Sequence, residues 1–217
     1  MTHSLHRSTT WGAGTPDGIV REPRDYVVMI MACQGVNDEG ATQGLRRGME
    51  ILLDHNPVNL SDGETSVFSG GTPQSLLEAI RETSYAAAVY TDPGDLVDVL
   101  VDLAGEDAGP SVVVTGDPGE LAPLLDRAGL SAHTINLSLG TAGSGPLPAG
   151  GPVRDLALMC GHGLIAPPYI RRVADRIAAG TQSADAGAEE LAALCTCGIF
   201  NVPLAALLLE RAGGDGR

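Results

Sequence analysis

The feature that most constrains the fold is an uninterrupted apolar run over residues 26–33, from Tyr26 to Cys33. The run has the length of a β-strand and lacks the polar alternation of a half-exposed one. It therefore predicts a strand buried on both faces, as in the centre of a parallel sheet. A polar, glycine-bearing loop over residues 34–40 follows, and residues 41–55 place their apolar side chains at helical spacing.

The same alternation of strand and helix recurs along the chain. Short strand candidates lie at residues 65–69, 86–91, 111–115 and 133–139, with helix-starting sequences between most of them. Short connections between alternating elements predict an α/β fold with a mostly parallel sheet of five or six strands flanked by helices. Residues 153–159 are predicted as one more strand, and a C-terminal helical segment with a Cys/His-rich site follows.

Composition divides the chain into four predicted regions. Residues 1–24 form a flexible N-terminal arm, and residues 25–140 the α/β sheet domain. Residues 141–152, rich in Gly and Pro, form a linker or loop, and residues 153–217 the C-terminal strand and helices. A chain of 217 residues that is 43% hydrophobic is long enough for one such core.

Charge and residue usage exclude several classes of function. A net charge of −14 and an aromatic content of 3% argue against a nucleic-acid partner. All 13 basic residues are Arg, which excludes an internal-lysine Schiff base and a P-loop lysine. No apolar run is long enough to cross a membrane, so we expect a cytoplasmic protein. In that compartment clustered cysteines favour metal binding or catalysis over disulfides.

Three of the four cysteines and one histidine lie in two short stretches, Cys160-Gly161-His162-Gly163 and Cys195-Thr196-Cys197. Three thiols and an imidazole are sufficient ligands for zinc or for an iron–sulfur cluster. Zinc knuckles prefer Cys-x-x-Cys, whereas two cysteines spaced Cys-x-Cys can each bind a separate iron of a cubane. We therefore favour a [4Fe–4S] cluster, with zinc as the alternative. Metal-free thiol chemistry, with a Cys195–Cys197 disulfide, is a third possibility.

Further candidate site residues follow from the predicted parallel sheet, whose ligand crevice lies at the carboxyl ends of the strands. Cys33 and Cys160 both follow predicted strands, so we expect them to face one crevice. Asn37 and Asp38, in the loop after the first strand, are candidate groups for proton transfer, although a solvated loop is the competing interpretation. A helix start at Gly70, Gly71 and Thr72 is a candidate site for an anionic group, and Thr72 before a proline is also typical of a plain N-cap.

These features together predict an enzyme of small-molecule metabolism. It would use a cysteine-bound cluster or metal as a Lewis acid, in a lyase- or hydrolase-type reaction on a substrate that can be anionic. His162 would be a ligand or a proton donor. The alternatives are a non-catalytic zinc-binding accessory or interaction protein, and a metal-free thiol enzyme. A homo-oligomer or a protein partner is compatible with each of these.

Overall fold

A computed structural model describes residues 24–106, 109–136, 147–148 and 150–214. The elements in chain order are β1 (Tyr26–Met31), α1 (Thr42–Asp54), β2 (Asn59–Ser61), α2 (Pro73–Ala79), β3 (Tyr85–Tyr90), α3 (Pro93–Glu106), β4 (Ser111–Thr115), α4 (Pro118–Arg127), α5 (Pro152–Met159), α6 (Pro167–Ala178), α7 (Ala184–Ala192) and α8 (Val202–Gly214). Within these ranges, no helix has both the length and the apolar character needed to cross a membrane.

The four strands form one antiparallel sheet in the order β2-β3-β1-β4. Strand β1 lies in the middle, where Met29 pairs with Ala87 of β3 on one side and with Val113 of β4 on the other. Strand β2 pairs with the other edge of β3. Consequently β1 and β2 run in the same direction with β3 between them, and β3 and β4 do so with β1 between them. This is the connectivity of a split β-α-β unit.

The prediction of a parallel sheet of five or six strands is wrong, because the described part of the chain has four strands and every neighbouring pair is antiparallel. The predicted strands near β1, β3 and β4 exist within a residue or two of their expected positions. What failed is the inference from double-sided burial to strand direction. An apolar run reports that both faces are covered, and helices can cover both faces of an antiparallel sheet as well.

Each face of the sheet packs against its own set of helices. Alternate residues of β1 and β3, among them Tyr26, Val28 and Tyr90, join the apolar cluster formed with α1 to α4. The intervening residues, among them Val27 and Met29, join a second cluster formed with α5 to α8. The period-two alternation of strand side chains thus divides one sheet between two cores. The C-terminal helices form one layer of a three-layer structure.

Two other predicted strands are replaced by different structure. Residues 153–159 lie in helix α5, which begins with Pro152 in its first turn and carries Asp155 there. Both are helix-start features. Within residues 65–69, Ser66 forms an isolated antiparallel bridge with Ser61, and residues 67–69 form a turn in which the Ser69 hydroxyl accepts a hydrogen bond from the Ser66 N–H. Of the predicted strand over residues 133–139, residues 133–136 are not a strand and the rest lie outside the described ranges.

Asn201 connects helix α8 to the start of the sheet. This fully buried side chain donates from Nδ2 to the Arg24 carbonyl oxygen (2.8 Å) and to an Asp25 carboxylate oxygen (2.9 Å). Its Oδ1 accepts from the Leu204 N–H at 3.1 Å in the first turn of α8. One amide therefore caps a helix and binds the residues that lead into β1.

We expect Asn201→Ala to lower the free energy of unfolding by about 2–4 kcal/mol, because it removes three hydrogen bonds at a buried position. Thr72→Ala is the matched control, since it removes an exposed N-cap with a cost of about 1 kcal/mol. Denaturant unfolding of both variants measures the difference. Equal losses for the two variants would show that the Asn201 bonds add little to the connection between α8 and the sheet.

Candidate functional site

The three cysteines of the C-terminal third converge at the ends of two helices. Cys160 is the C-terminal cap of α5, and Cys195 and Cys197 lie in the turn that follows α7. All three side chains are buried, with exposed fractions of 0%, 0% and 3%. They belong to the apolar cluster between the sheet and α5 to α8. We refer to Cys160, His162, Cys195 and Cys197 as the thiol site.

Contacts between their polar atoms define the geometry of the thiol site. The sulfurs of Cys195 and Cys197 are 3.3 Å apart, and the Cys197 sulfur is 3.5 Å from His162 Nδ1. The Cys195 thiol is also hydrogen-bonded to Cys160. Cys195 therefore lies between the other two sulfurs. His162 is exposed, so the site is buried on its sulfur side and reaches the surface through the imidazole.

Backbone N–H groups form hydrogen bonds to two of the three sulfurs. The N–H groups of His162 and Leu164 are hydrogen-bonded to the Cys160 sulfur, and the Ile199 N–H to the Cys197 sulfur. Each of these cysteines is followed by a glycine at positive φ, Gly161 (73°) and Gly198 (65°). Glycine adopts this conformation without the Cβ strain of other residues, which allows the chain to fold around the sulfur.

These hydrogen bonds separate the acidities of the three thiols. Hydrogen bonds from the Cys195 thiol and from the backbone lower the pKa of Cys160 to about 5, despite its burial. The Cys195 thiol is also the main reason that the pKa of Cys197 falls to about 6, with the Ile199 N–H contributing. Cys195, placed between its two neighbours, has a raised pKa and retains the proton. The cluster therefore favours anionic sulfur at Cys160 or Cys197 with the proton kept on Cys195, whose single S–H donates to one of them at a time.

The cysteine turn after α7 is fastened directly to the sheet. A Cβ on Gly198 would lie 2.2 Å from Ser61 Cβ and 3.2 Å from the Leu60 backbone, so only glycine allows this approach to β2. The Ser61 hydroxyl donates to the Thr196 carbonyl oxygen at 3.1 Å, between the two cysteines. The position of Cys195 and Cys197 is therefore fixed by an edge strand of the sheet.

The donor atoms are adjacent but not yet arranged around an ion. Within the described residues, no set of three or more Cys, His, Asp or Glu side chains has the geometry of a metal-binding group. A tetrahedral zinc ion with its usual bond lengths requires S···S edges of about 3.8 Å and S···N edges of about 3.5 Å. The Cys197–His162 separation of 3.5 Å meets that requirement, and the Cys195–Cys197 contact of 3.3 Å is shorter. The sulfurs would have to move apart slightly to admit an ion.

Other candidate residues predicted from the sequence lie in a separate turn. Cys33 is exposed, and it is not among the groups that shift the pKa values of the three buried thiols. Asn37 accepts from the Cys33 N–H and donates to the Gly109 carbonyl oxygen, and Asp38 accepts from the Gly35 N–H. Because Cys160 follows a helix and not a strand, the argument that brought it together with Cys33 no longer holds.

The predicted anion site at residues 70–72 is largely occupied by the chain's own hydrogen bonds. The Gly71 N–H donates to the Ser66 carbonyl oxygen. Thr72 is the N-cap of α2 and exchanges hydrogen bonds with Ser75 in a capping box. These bonds close the loop and start the helix. Anion binding at Gly70, Gly71 and Thr72 stays a prediction.

Sequence reasoning missed the residues that surround the thiol site. Ser61 binds the cysteine turn, and the pKa of the Tyr85 phenol is raised first by burial and then by negative charge on the Cys197 sulfur. Both residues are distant from the cysteines in sequence, so no local pattern identifies them. The repeated Cys-Gly pair, at Cys160-Gly161 and Cys197-Gly198, was visible and indicates turns wrapped around sulfur.

Comparisons with known proteins found no matching family model, no matching curated protein and no matching solved structure.

The burial of the thiol site predicts its chemical reactivity. An alkylating reagent should modify one thiol per native chain rapidly, because Cys33 is the exposed cysteine, and all four after unfolding. Mass spectrometry of time-resolved samples measures this, and Cys33→Ser should remove the rapid phase. Rapid labelling of Cys160, Cys195 or Cys197 in the native protein would contradict the buried arrangement.

Proposed function

We propose that Cys160, Cys195 and Cys197 bind one metal ion with His162 at its solvent-facing side, and that the protein is a metal-dependent enzyme acting on a small molecule. The observation that carries this proposal is the convergence of three buried sulfurs, two of which accept backbone N–H hydrogen bonds. Hydrogen bonds of this kind stabilise anionic sulfur, which is the form that binds a metal.

The short contact between Cys195 and Cys197 favours one ion over a cubane cluster. Both sulfurs, 3.3 Å apart, point toward the same small volume. In a [4Fe–4S] cluster each cysteine binds its own iron, so the sulfurs of two ligands lie well beyond contact distance. A cluster would require at least one of these side chains to adopt a different rotamer. A single thiolate-bound ion requires a smaller adjustment.

The exposure of His162 is the reason for proposing catalysis. A metal ion with an exchangeable fourth position acts as a Lewis acid toward an oxygen of a bound small molecule. On the protein side, the three sulfurs would be held by buried turns, whereas the imidazole lies on an exposed loop between Gly161 and Gly163. From there His162 can leave the fourth position and donate or accept a proton near the ligand.

A structural metal site is the second candidate function. The thiols lie inside the apolar cluster that joins α5 to α8 to the sheet. An ion held by all four side chains would link the end of α5 to the turn after α7. Closed four-ligand sites of this kind contribute to folding rather than to catalysis.

We expect Cys195→Ala and Cys197→Ala to lose bound metal, and the melting temperature gained on metal binding to disappear with it, because ligand binding stabilises the folded state. Cys33→Ala, which removes an exposed thiol outside the site, is the matched control and should keep its metal. The proteins are purified anaerobically, and metal content, sulfide content and visible absorption are measured. One metal ion per chain without sulfide supports the proposal. Sulfide with broad visible absorption would show that the site binds an iron–sulfur cluster and not a single ion. Loss of metal in Cys33→Ala alone would overturn the ligand assignment.

His162→Ala separates the catalytic from the structural role. For an exchangeable fourth position, the variant should retain Co(II) and its melting temperature, and added imidazole should change the cobalt absorption spectrum by entering the vacated position. His133→Ala, an exposed histidine in a loop outside the thiol site, is the control. If His162→Ala instead loses its metal and its thermal stability together, the structural role is correct.

A further inference from the structure

We propose that Cys195 and Cys197 are a redox modification site, at which a small hydroperoxide converts the two thiols into a reversible disulfide. The two sulfurs are 3.3 Å apart, and a disulfide bond brings them to about 2.05 Å, so they have to approach by only about 1.3 Å. This inference goes beyond the proposed metal site and does not depend on it, because the reaction consumes the thiols of the metal-free chain.

The turn that carries the two cysteines is held in place by hydrogen bonds of its backbone. The Gly198 N–H donates to the Cys195 carbonyl oxygen at 3.1 Å and closes the turn. The Ser61 hydroxyl donates to the Thr196 carbonyl oxygen, also at 3.1 Å, from the neighbouring strand. The backbone thus keeps the two side chains adjacent, and rotation of the side chains is sufficient to bring the sulfurs together.

The contacts of Cys197 make it the sulfur that reacts first. Its side chain is 3% exposed, whereas Cys195 is 0% exposed, and its sulfur lies 3.5 Å from Nδ1 of the exposed His162. A large thiol reagent is excluded from such a buried sulfur, and a molecule as small as hydrogen peroxide can approach it beside the imidazole. Cys195, in contact behind it, has the place of a resolving cysteine.

The reaction takes two steps. The Cys197 sulfur attacks one oxygen of hydrogen peroxide, an S–O bond forms, the O–O bond breaks, and the thiol proton leaves with the departing hydroxide as water. The Cys195 sulfur then attacks the sulfenic sulfur of Cys197. The S–S bond forms, the S–O bond breaks, and the hydroxide leaves as a second water with the Cys195 proton. The two thiols together lose two electrons, which the peroxide gains.

The small size of the ring predicts that the disulfide is easily reduced. It would enclose a single residue, Thr196, between the two cysteines. A disulfide stabilises a fold mainly by restricting the unfolded chain, and a ring this short restricts it little. A thiol reductant should therefore reverse the reaction by thiol–disulfide exchange. Oxidation would also remove two sulfurs from the proposed ligand set, so that the disulfide and a metal ion exclude one another.

Peptide mass spectrometry of the full-length, metal-free protein tests this inference. Hydrogen peroxide is added, and the remaining thiols are alkylated under denaturing conditions. Trypsin cleaves this lysine-free chain only after Arg, so Cys33 lies in fragment 25–46, Cys160 in fragment 155–171, and both Cys195 and Cys197 in fragment 177–211. We expect fragment 177–211 to resist alkylation and to be about 2 Da lighter than its reduced form, and dithiothreitol to restore its thiols. Cys33→Ser, which removes the exposed thiol, is the control and should give the same result.

Three outcomes would overturn the inference. A link between fragments 155–171 and 177–211 would assign the disulfide to Cys160. Sulfinic acid on Cys197 would show that Cys195 does not resolve the sulfenic acid. Oxidation of Cys33 with fragment 177–211 unchanged would show that burial protects the pair.

The same experiment is independent of the proposed metal-binding function. If the natural protein binds no metal and still forms this disulfide, the metal site fails and the inference stands. If it binds metal and the metal-free chain forms no disulfide between Cys195 and Cys197, the metal site stands and the inference is overturned.

Discussion

Both faces of the four-stranded sheet are covered by helices, and the location of the thiol site depends on that double covering. Val27 and Met29 point toward α5 to α8, and Val28 and Ile30 point toward α1 to α4. A sheet with only the first four helices would leave one of these apolar faces in water. The burial of this apolar face holds the C-terminal helices α5 to α8 against the sheet. Their ends, where the cysteines lie, meet the sheet at its β2–β3 edge.

The approach at that edge uses backbone contacts that few residues allow. Gly198 lies against the β2 backbone so closely that any side chain would collide with Ser61. Nearby, the Asn59 side chain donates to the Phe200 carbonyl oxygen at 2.9 Å, and the Asn201 side chain accepts a hydrogen bond from the first turn of α8. The segment from Cys195 to Asn201 therefore carries two kinds of residue. Cys195 and Cys197 contribute two of the three clustered sulfurs, and Gly198 and Asn201 fix the position of the chain that carries them.

How much of this could be read from the sequence depends on the range of the interaction involved. The strand positions and the sequence clustering of Cys160, Cys195 and Cys197 follow from local patterns, and the structure does bring these three side chains together. Strand direction does not follow from local patterns, because it depends on which helices cross which face of the sheet. The short apolar run before Cys160 fits a strand or a buried helix turn, and Pro152 with Asp155 decides for the helix. Tyr85 and Ser61 become neighbours of the cysteines only after folding.

Apolar packing alone does not account for the acidities within the thiol site. A cysteine buried among apolar groups has a raised pKa, because the thiolate loses its hydration. Cys160 and Cys197 are buried and yet their pKa values are lowered, because backbone N–H groups and the Cys195 thiol supply the hydrogen bonds that water would otherwise make. A turn with a glycine at positive φ is needed at both positions to bring those donors to sulfur. Two such turns next to each other favour negative charge on sulfur in a protein that already has a net charge of −14. The proton on Cys195 and the backbone N–H groups offset part of this charge, and a bound cation would offset more of it, which is why we propose the three cysteines as a ligand set.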